Sequence, residues 1–85
     1  MEAFSRAFSD LPQGTFYGRA HGRRYIVSKT RQASGRSWKL VAEELGGGDY
    51  ISLNLYRTRN GDLLRPCEMP ATKVVAFVQD LILDQ

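Results

Sequence analysis

The chain has 85 residues, of which 42% are hydrophobic and 25% charged, and this composition is typical of one soluble globular domain covering residues 1–85. Its net charge of +3 combines a basic part, residues 1–39 with a net charge of +6, and an acidic remainder with −3. A single cysteine excludes an internal disulfide bond. Because no apolar run resembles a signal peptide or reaches the roughly 18–20 residues of a membrane span, we expect a cytoplasmic protein with no membrane partner.

The first 30 residues predict a short helix and a β-hairpin. Apolar residues at helical spacing indicate a helix over residues 4–11, which Pro12 and Gly14 end. Two runs rich in aromatic and β-branched residues follow, at 15–20 and 23–30, and they flank a turn at His21 and Gly22. We expect these runs to pair.

Two further strands with alternating side chains follow. Trp38, Leu40 and Ala42 alternate with more polar residues in a strand that ends near residue 45. The glycines at 46–48 predict a tight connection into a strand at 50–56, whose apolar positions are Ile51, Leu53 and Leu55.

The Asn60-Gly61 pair predicts a hairpin with a two-residue loop. Its type I′ turn would place Thr58 opposite Leu63 and Tyr56 opposite Arg65.

A final helix is predicted from Pro70 to about residue 83. Its broad apolar face requires a sheet to cover. The sequence therefore predicts an α+β fold: an antiparallel meander of four to five strands, a C-terminal helix packed on one face, and a short N-terminal helix.

The opposite face of this sheet would be polar, aromatic and basic. Its expected members are Lys39, Tyr50, Ser52, Asn54, Tyr56 and Arg65. Such a face can stack unpaired bases on its rings while the basic side chains neutralise phosphates. Solvated antiparallel sheets also favour these residue types, so the composition of the face is compatible with a plain solvent-exposed surface.

The order of these elements resembles a known family over roughly residues 25–83. Consecutive strands, the segment YISLNLYRTRNGDLLRP and a terminal helix are similar to the single-stranded-DNA-binding domain of positive-cofactor-four type transcriptional coactivators. The resemblance implies a dimer whose groove is lined by basic and aromatic strand residues. The nearest counterparts by position are Lys29, Lys39, Tyr56 and Arg65, with Arg23 and Arg24 on a neighbouring strand.

These observations predict a small, non-enzymatic module that binds single-stranded nucleic acid as a homodimer, without cofactor or metal. The resemblance adds a role in transcription. The candidate binding residues are Arg19, Arg23, Arg24, Lys29, Lys39, Tyr56 and Arg65. Because Arg23 and Arg24 are consecutive in a strand, they are expected to point to opposite faces.

The alternative is a protein-interaction or assembly module that forms a homo-oligomer through a sheet edge or face. An enzyme is disfavoured because one histidine and one cysteine leave little for acid–base or covalent chemistry. His21 is expected in a solvated turn and Cys67 in a half-buried structural position.

Overall fold

The computed structural model describes residues 1–84 as a six-stranded antiparallel sheet with two helices on one side. The elements in chain order are α1 (Glu2–Asp10), β1 (Gly14–Ala20), β2 (Arg23–Gln32), a 3-10 turn (Ala33–Gly35), β3 (Ser37–Glu44), β4 (Tyr50–Thr58), β5 (Gly61–Pro66), α2 (Ala71–Asp80) and β6 (Ile82–Leu83). The α+β architecture and both helices are thus confirmed, with one strand more than predicted.

The sheet is an open meander, and the last strand of the chain is added at its β1 edge. Its order is β5-β4-β3-β2-β1-β6, so the first five strands each pair with their neighbours in sequence, and β6 adds to the outer side of β1. The predicted β1–β2 turn is confirmed: His21 and Gly22 both have positive φ, 54° and 76°, as a type I′ turn requires.

The core lies between one sheet face and both helices. Alternation along β3 and β4 directs Leu40, Ala42, Ile51, Leu53 and Leu55 into it, and each is at most 1% exposed. The helices contribute Phe4, Phe8, Val74, Phe77 and Val78 to the same cluster. We call this side the helix-covered face; it contains the apolar positions expected from the sequence.

The β4–β5 register differs from the prediction by two residues. Thr58 pairs with Gly61 and Tyr56 with Leu63, so the loop consists of residues 59–60. Of residues 58–61, only Gly61 has a positive φ, 115°, whereas a type I′ turn would need two such residues. The Thr58 hydroxyl donates to the Gly61 carbonyl at 2.6 Å and accepts the Asn60 N–H at 3.2 Å, which stabilises the observed register.

The C-terminal helix is shorter than predicted. It begins at Ala71, after Pro70 as N-cap, and ends at Asp80; Leu81 is already extended. Gly18 explains the change, because its missing Cβ leaves room for the Leu81 side chain and the Ile82 carbonyl against β1. Ile82 therefore lies outside the core and is 70% exposed.

Within residues 1–84, the longest helix has ten residues, and none has the length and apolar character needed to cross a bilayer.

Candidate nucleic-acid interface

The face of the sheet opposite the helices is uncovered, and we call it the open face. Strand alternation and pairing place on it Thr15, Tyr17, Arg19, Arg24, Ile26, Ser28, Thr30, Gln32, Ser37, Lys39, Val41, Glu43, Tyr50, Ser52, Asn54, Tyr56, Thr58, Leu63, Arg65 and Ile82, which include all six residues expected on this face. Five of the seven predicted site residues are among them: Arg19, Arg24, Lys39, Tyr56 and Arg65. The strands thus bring most of the predicted site together on one surface.

One corner of the open face contains two arginines, and we call Tyr17, Arg19, Arg24 and Asp84 the arginine corner. Arg19 and Arg24 are directly opposite each other across β1 and β2. Asp84, which follows β6, contacts both: Arg24 Nε donates to Oδ2 at 2.9 Å, and Arg19 Nε lies 3.5 Å from Oδ1. The Arg24 guanidinium also lies over the Tyr17 ring, 5.2 Å from its centre.

A second basic group lies across β3, β4 and β5. Lys39 and Arg65 each face Asn54 from opposite sides, and we call these three residues the Asn54 row. Tyr56 is two residues further along β4, 40% exposed, and pairs with Leu63. Tyr56 and Arg65 therefore lie on one face, as the sequence predicted. They are diagonal neighbours, whereas the predicted register would have paired them directly.

The surface between these two groups is mostly uncharged. Ile26 and Val41 are half-buried there, with Ser28 and Ser52 beside them. Glu43 is exposed in the same region, opposite Ile26. From Arg24 the distance along the strands to the Asn54 row is six residues, or about 20 Å. The open face therefore has two separated basic groups, and the mostly uncharged strip between them carries the acidic Glu43.

Lys29 is not on this surface, which corrects its place among the predicted contacts. It is 4% exposed, in phase with Tyr25 and Val27 on the helix-covered face. Its ammonium group donates to the carbonyls of Phe8 and Leu11, at 2.6 and 2.8 Å, and lies over two aromatic rings. Burial lowers its pKa from the ordinary 10.5. Lys29 attaches the end of α1 to the sheet and cannot contact a surface ligand.

Arg23 also lies apart from the open face. The expectation that consecutive Arg23 and Arg24 point to opposite sides is correct, and Arg23 lies 3.8 and 3.7 Å from carboxylate oxygens of Glu44 and Asp49. Asp49 in turn accepts hydrogen bonds from Lys73 and the Tyr25 hydroxyl, both at 2.7 Å. These bonds lower the pKa of Asp49, and burial followed by the bond to Asp49 raises the pKa of Tyr25 to about 12. This cluster joins the β3–β4 turn to α2.

The only histidine and the only cysteine of the chain both contact neighbouring side chains. His21 is half exposed in its turn, and its Nε2 lies 2.8 Å from a carboxylate oxygen of Asp80 at the end of α2. Cys67 is half-buried, with the Asn54 amide 3.6 Å from its sulfur. Among residues 1–84, no group of three or more His, Cys, Asp or Glu side chains is arranged to hold a metal ion.

Tyr17 and Asp84 are the two members of the arginine corner that the sequence predictions missed. Tyr17 precedes Arg19 by two positions in β1, so alternation would have placed it beside the arginines. Asp84 had no such signal, because its position depends on the early end of α2 and on the pairing of β6 with β1.

The chain matches no family model, no curated protein and no solved structure. The resemblance to the positive-cofactor-four domain therefore stays a prediction.

Proposed function

We propose that the open face binds single-stranded nucleic acid. The observation that supports this most directly is that an arginine lies near an exposed tyrosine at two places on one uncovered face: Arg24 lies over the Tyr17 ring, and Arg65 is a diagonal neighbour of Tyr56. Bases stack on tyrosine rings irrespective of sequence, while guanidinium and ammonium groups contact the phosphates between them. The proposal thus needs no catalytic group and no cofactor.

The charged residues of the open face favour a polyanionic ligand more clearly than the net charge of the whole chain does. Arg19, Arg24, Lys39 and Arg65 lie on it, against Glu43 and the neighbouring Asp84. Since the described part of the chain shows no salt bridge for Lys39 or Arg65, their charges are available to a ligand. A flexible single strand can contact both basic groups across the 20 Å or so between them.

Fluorescence anisotropy with a labelled oligothymidine tests the proposal. We expect binding that weakens steeply with salt, because each phosphate contact releases counterions. The double variant Lys39→Ala/Arg65→Ala should bind more weakly, and its slope of log affinity against log salt should fall by about 1.4, or about 0.7 for each lost contact with a single strand.

The matched control is the double variant Arg6→Ala/Arg31→Ala. It removes the same charge, but Arg6 lies on α1 and Arg31 is in phase with Trp38 on the helix-covered side. Its affinity and salt slope should stay close to those of the wild type. Equal losses in both double variants would show attraction to net charge alone and would contradict a defined interface.

A second candidate function is self-assembly through the sheet. Leu63 and Ile82 are 41% and 70% exposed at opposite corners of the open face, and β5 is an unpaired edge of the sheet. An exposed edge strand with an apolar side chain can pair with a second copy. Sedimentation analysis tests this candidate: a wild-type dimer that Leu63→Asp converts to monomer supports assembly through the sheet, and a monomeric wild type contradicts it.

A further inference from the structure

The arginine corner brings two like charges together with one carboxylate. Arg19 and Arg24 face each other directly across two strands, an arrangement that is unfavourable for like charges unless an anion lies between them. Asp84 supplies that anion, with one oxygen directed to each guanidinium. One negative charge offsets only half of the positive charge, so the corner keeps a net charge of about +1.

We propose that the arginine corner is a phosphate subsite of the nucleic-acid interface, and that Asp84 is its intramolecular competitor. The inference rests on the proposed function and names the ligand group that this part of the open face takes. An open depression of about 390 Å³ lies there, lined by Arg19, Arg24, Ile82, Leu83 and Asp84, and it has room for a phosphate.

The contacts of Asp84 leave most of the arginine donors available. Both contacts use Nε, and within residues 1–84 no other salt bridge involves either guanidinium. The two arginine side chains are 69% and 52% exposed, so a ligand can reach them from solvent. A backbone phosphodiester carries one negative charge on two non-bridging oxygens, so it can contact the terminal guanidinium nitrogens that Asp84 leaves unused or take the place of the Asp84 carboxylate.

The segment that carries Asp84 makes few backbone hydrogen bonds to the sheet, and Leu81 and Leu83 hold it against the core. β6 pairs with β1 through two residues, and the Asp84 N–H adds one bond to the Tyr17 carbonyl at 3.1 Å. Ile82 contributes little packing, since most of its surface is exposed. A phosphate can therefore displace the Asp84 carboxylate without disturbing the core.

The test is Asp84→Asn, which keeps the shape of the side chain and removes its charge. We expect affinity for oligothymidine to rise about two- to fivefold at low salt, the range that exposed ion pairs contribute. Asp10→Asn, on α1, removes the same charge elsewhere and should bind like the wild type. In an Arg19→Ala/Arg24→Ala background, Asp84→Asn should have no effect. An unchanged or lower affinity of Asp84→Asn overturns the inference, since a lower affinity would mean that Asp84 orients the arginines for the ligand.

A second probe separates this inference from the proposed function. Inorganic tripolyphosphate should shift the Nε–H resonances of Arg19 and Arg24 in NMR spectra, and Asp84→Asn should lower the concentration required. If oligothymidine fails to bind while tripolyphosphate behaves in this way, the phosphate subsite stands and the nucleic-acid function fails. If oligothymidine binds and tripolyphosphate leaves both arginines unaffected, the function stands and the subsite is wrong.

Discussion

Replacing Lys29 by methionine should destabilise the protein strongly. The change keeps most of the aliphatic stem but removes the donor that contacts the Phe8 and Leu11 carbonyls at 2.6 and 2.8 Å. Hydrogen bonds from a charged donor contribute about 1.5–3 kcal/mol each, and relief from burying the charge offsets part of their loss. We therefore expect the free energy of unfolding to fall by about 2–4 kcal/mol, a large fraction of the roughly 4–13 kcal/mol of an ordinary domain of this size.

Urea denaturation monitored by tryptophan fluorescence measures this loss. Trp38 is the only tryptophan, and the Lys29 ammonium lies 4.9 Å from its ring, so the signal reports on the site itself. Lys39→Met is the matched control, because Lys39 lies one strand away on the open face; it should change stability by less than about 0.5 kcal/mol. A loss below about 1 kcal/mol for Lys29→Met would refute the assignment of Lys29 as an essential partner of the α1 carbonyls.

Three further predictions concern stability. The lowered pKa of Lys29 means that the unfolded chain binds more protons than the folded chain in mildly alkaline solution, so stability should rise with pH towards 10.5. The pKa of Tyr25 is raised from 10.0 to about 12, so above pH 10 the folded chain keeps a proton that the unfolded chain loses, and stability should fall again. Denaturant midpoints across this range should rise less in Lys29→Met and fall less in Tyr25→Phe. Asp49→Asn should reduce the stability lost in acid, because the lowered pKa of Asp49 stabilises the fold only above its folded value; midpoints that decline as steeply as those of the wild type below pH 3.8 would contradict this. Gly18→Ala should cost about 1–3 kcal/mol, since its Cβ would lie 2.8 Å from a methyl carbon of Leu81, and an unaltered melting temperature would contradict the close approach described for this glycine.

The sequence predicts side-chain faces more reliably than pairing partners. The predicted β4–β5 register was wrong by two residues. Tyr56 and Arg65 nevertheless lie on one face as predicted, because side chains alternate with a period of two. Thr58 decided the register through local hydrogen bonds that the Asn60-Gly61 rule ignores. The same alternation places Lys29 in the core beside Val27, but its charge led to the prediction of a surface position.

The end of α2 was beyond what local patterns can predict. Helical spacing continues through Leu81 and Ile82, and the helix stops because β1 offers an unpaired edge with Gly18 at the point of closest approach. This competition between helix and strand depends on residues more than 60 positions apart. Asp84 and the arginine corner depend on its outcome, so this part of the candidate site was missed for the same reason.

The position of α2 in the chain has a consequence for biosynthesis. Five strands and α1 are translated before the first residue of α2, and until then Leu53 and Leu55 lack part of their cover. Val74, Phe77 and Val78, each at most 2% exposed, are the last core residues to leave the ribosome. Because the strands pair in sequence order, the sheet can assemble early, but an apolar surface remains uncovered until α2 is made. A chain truncated before residue 71 and released from the ribosome should therefore bind chaperones that recognise exposed apolar strands.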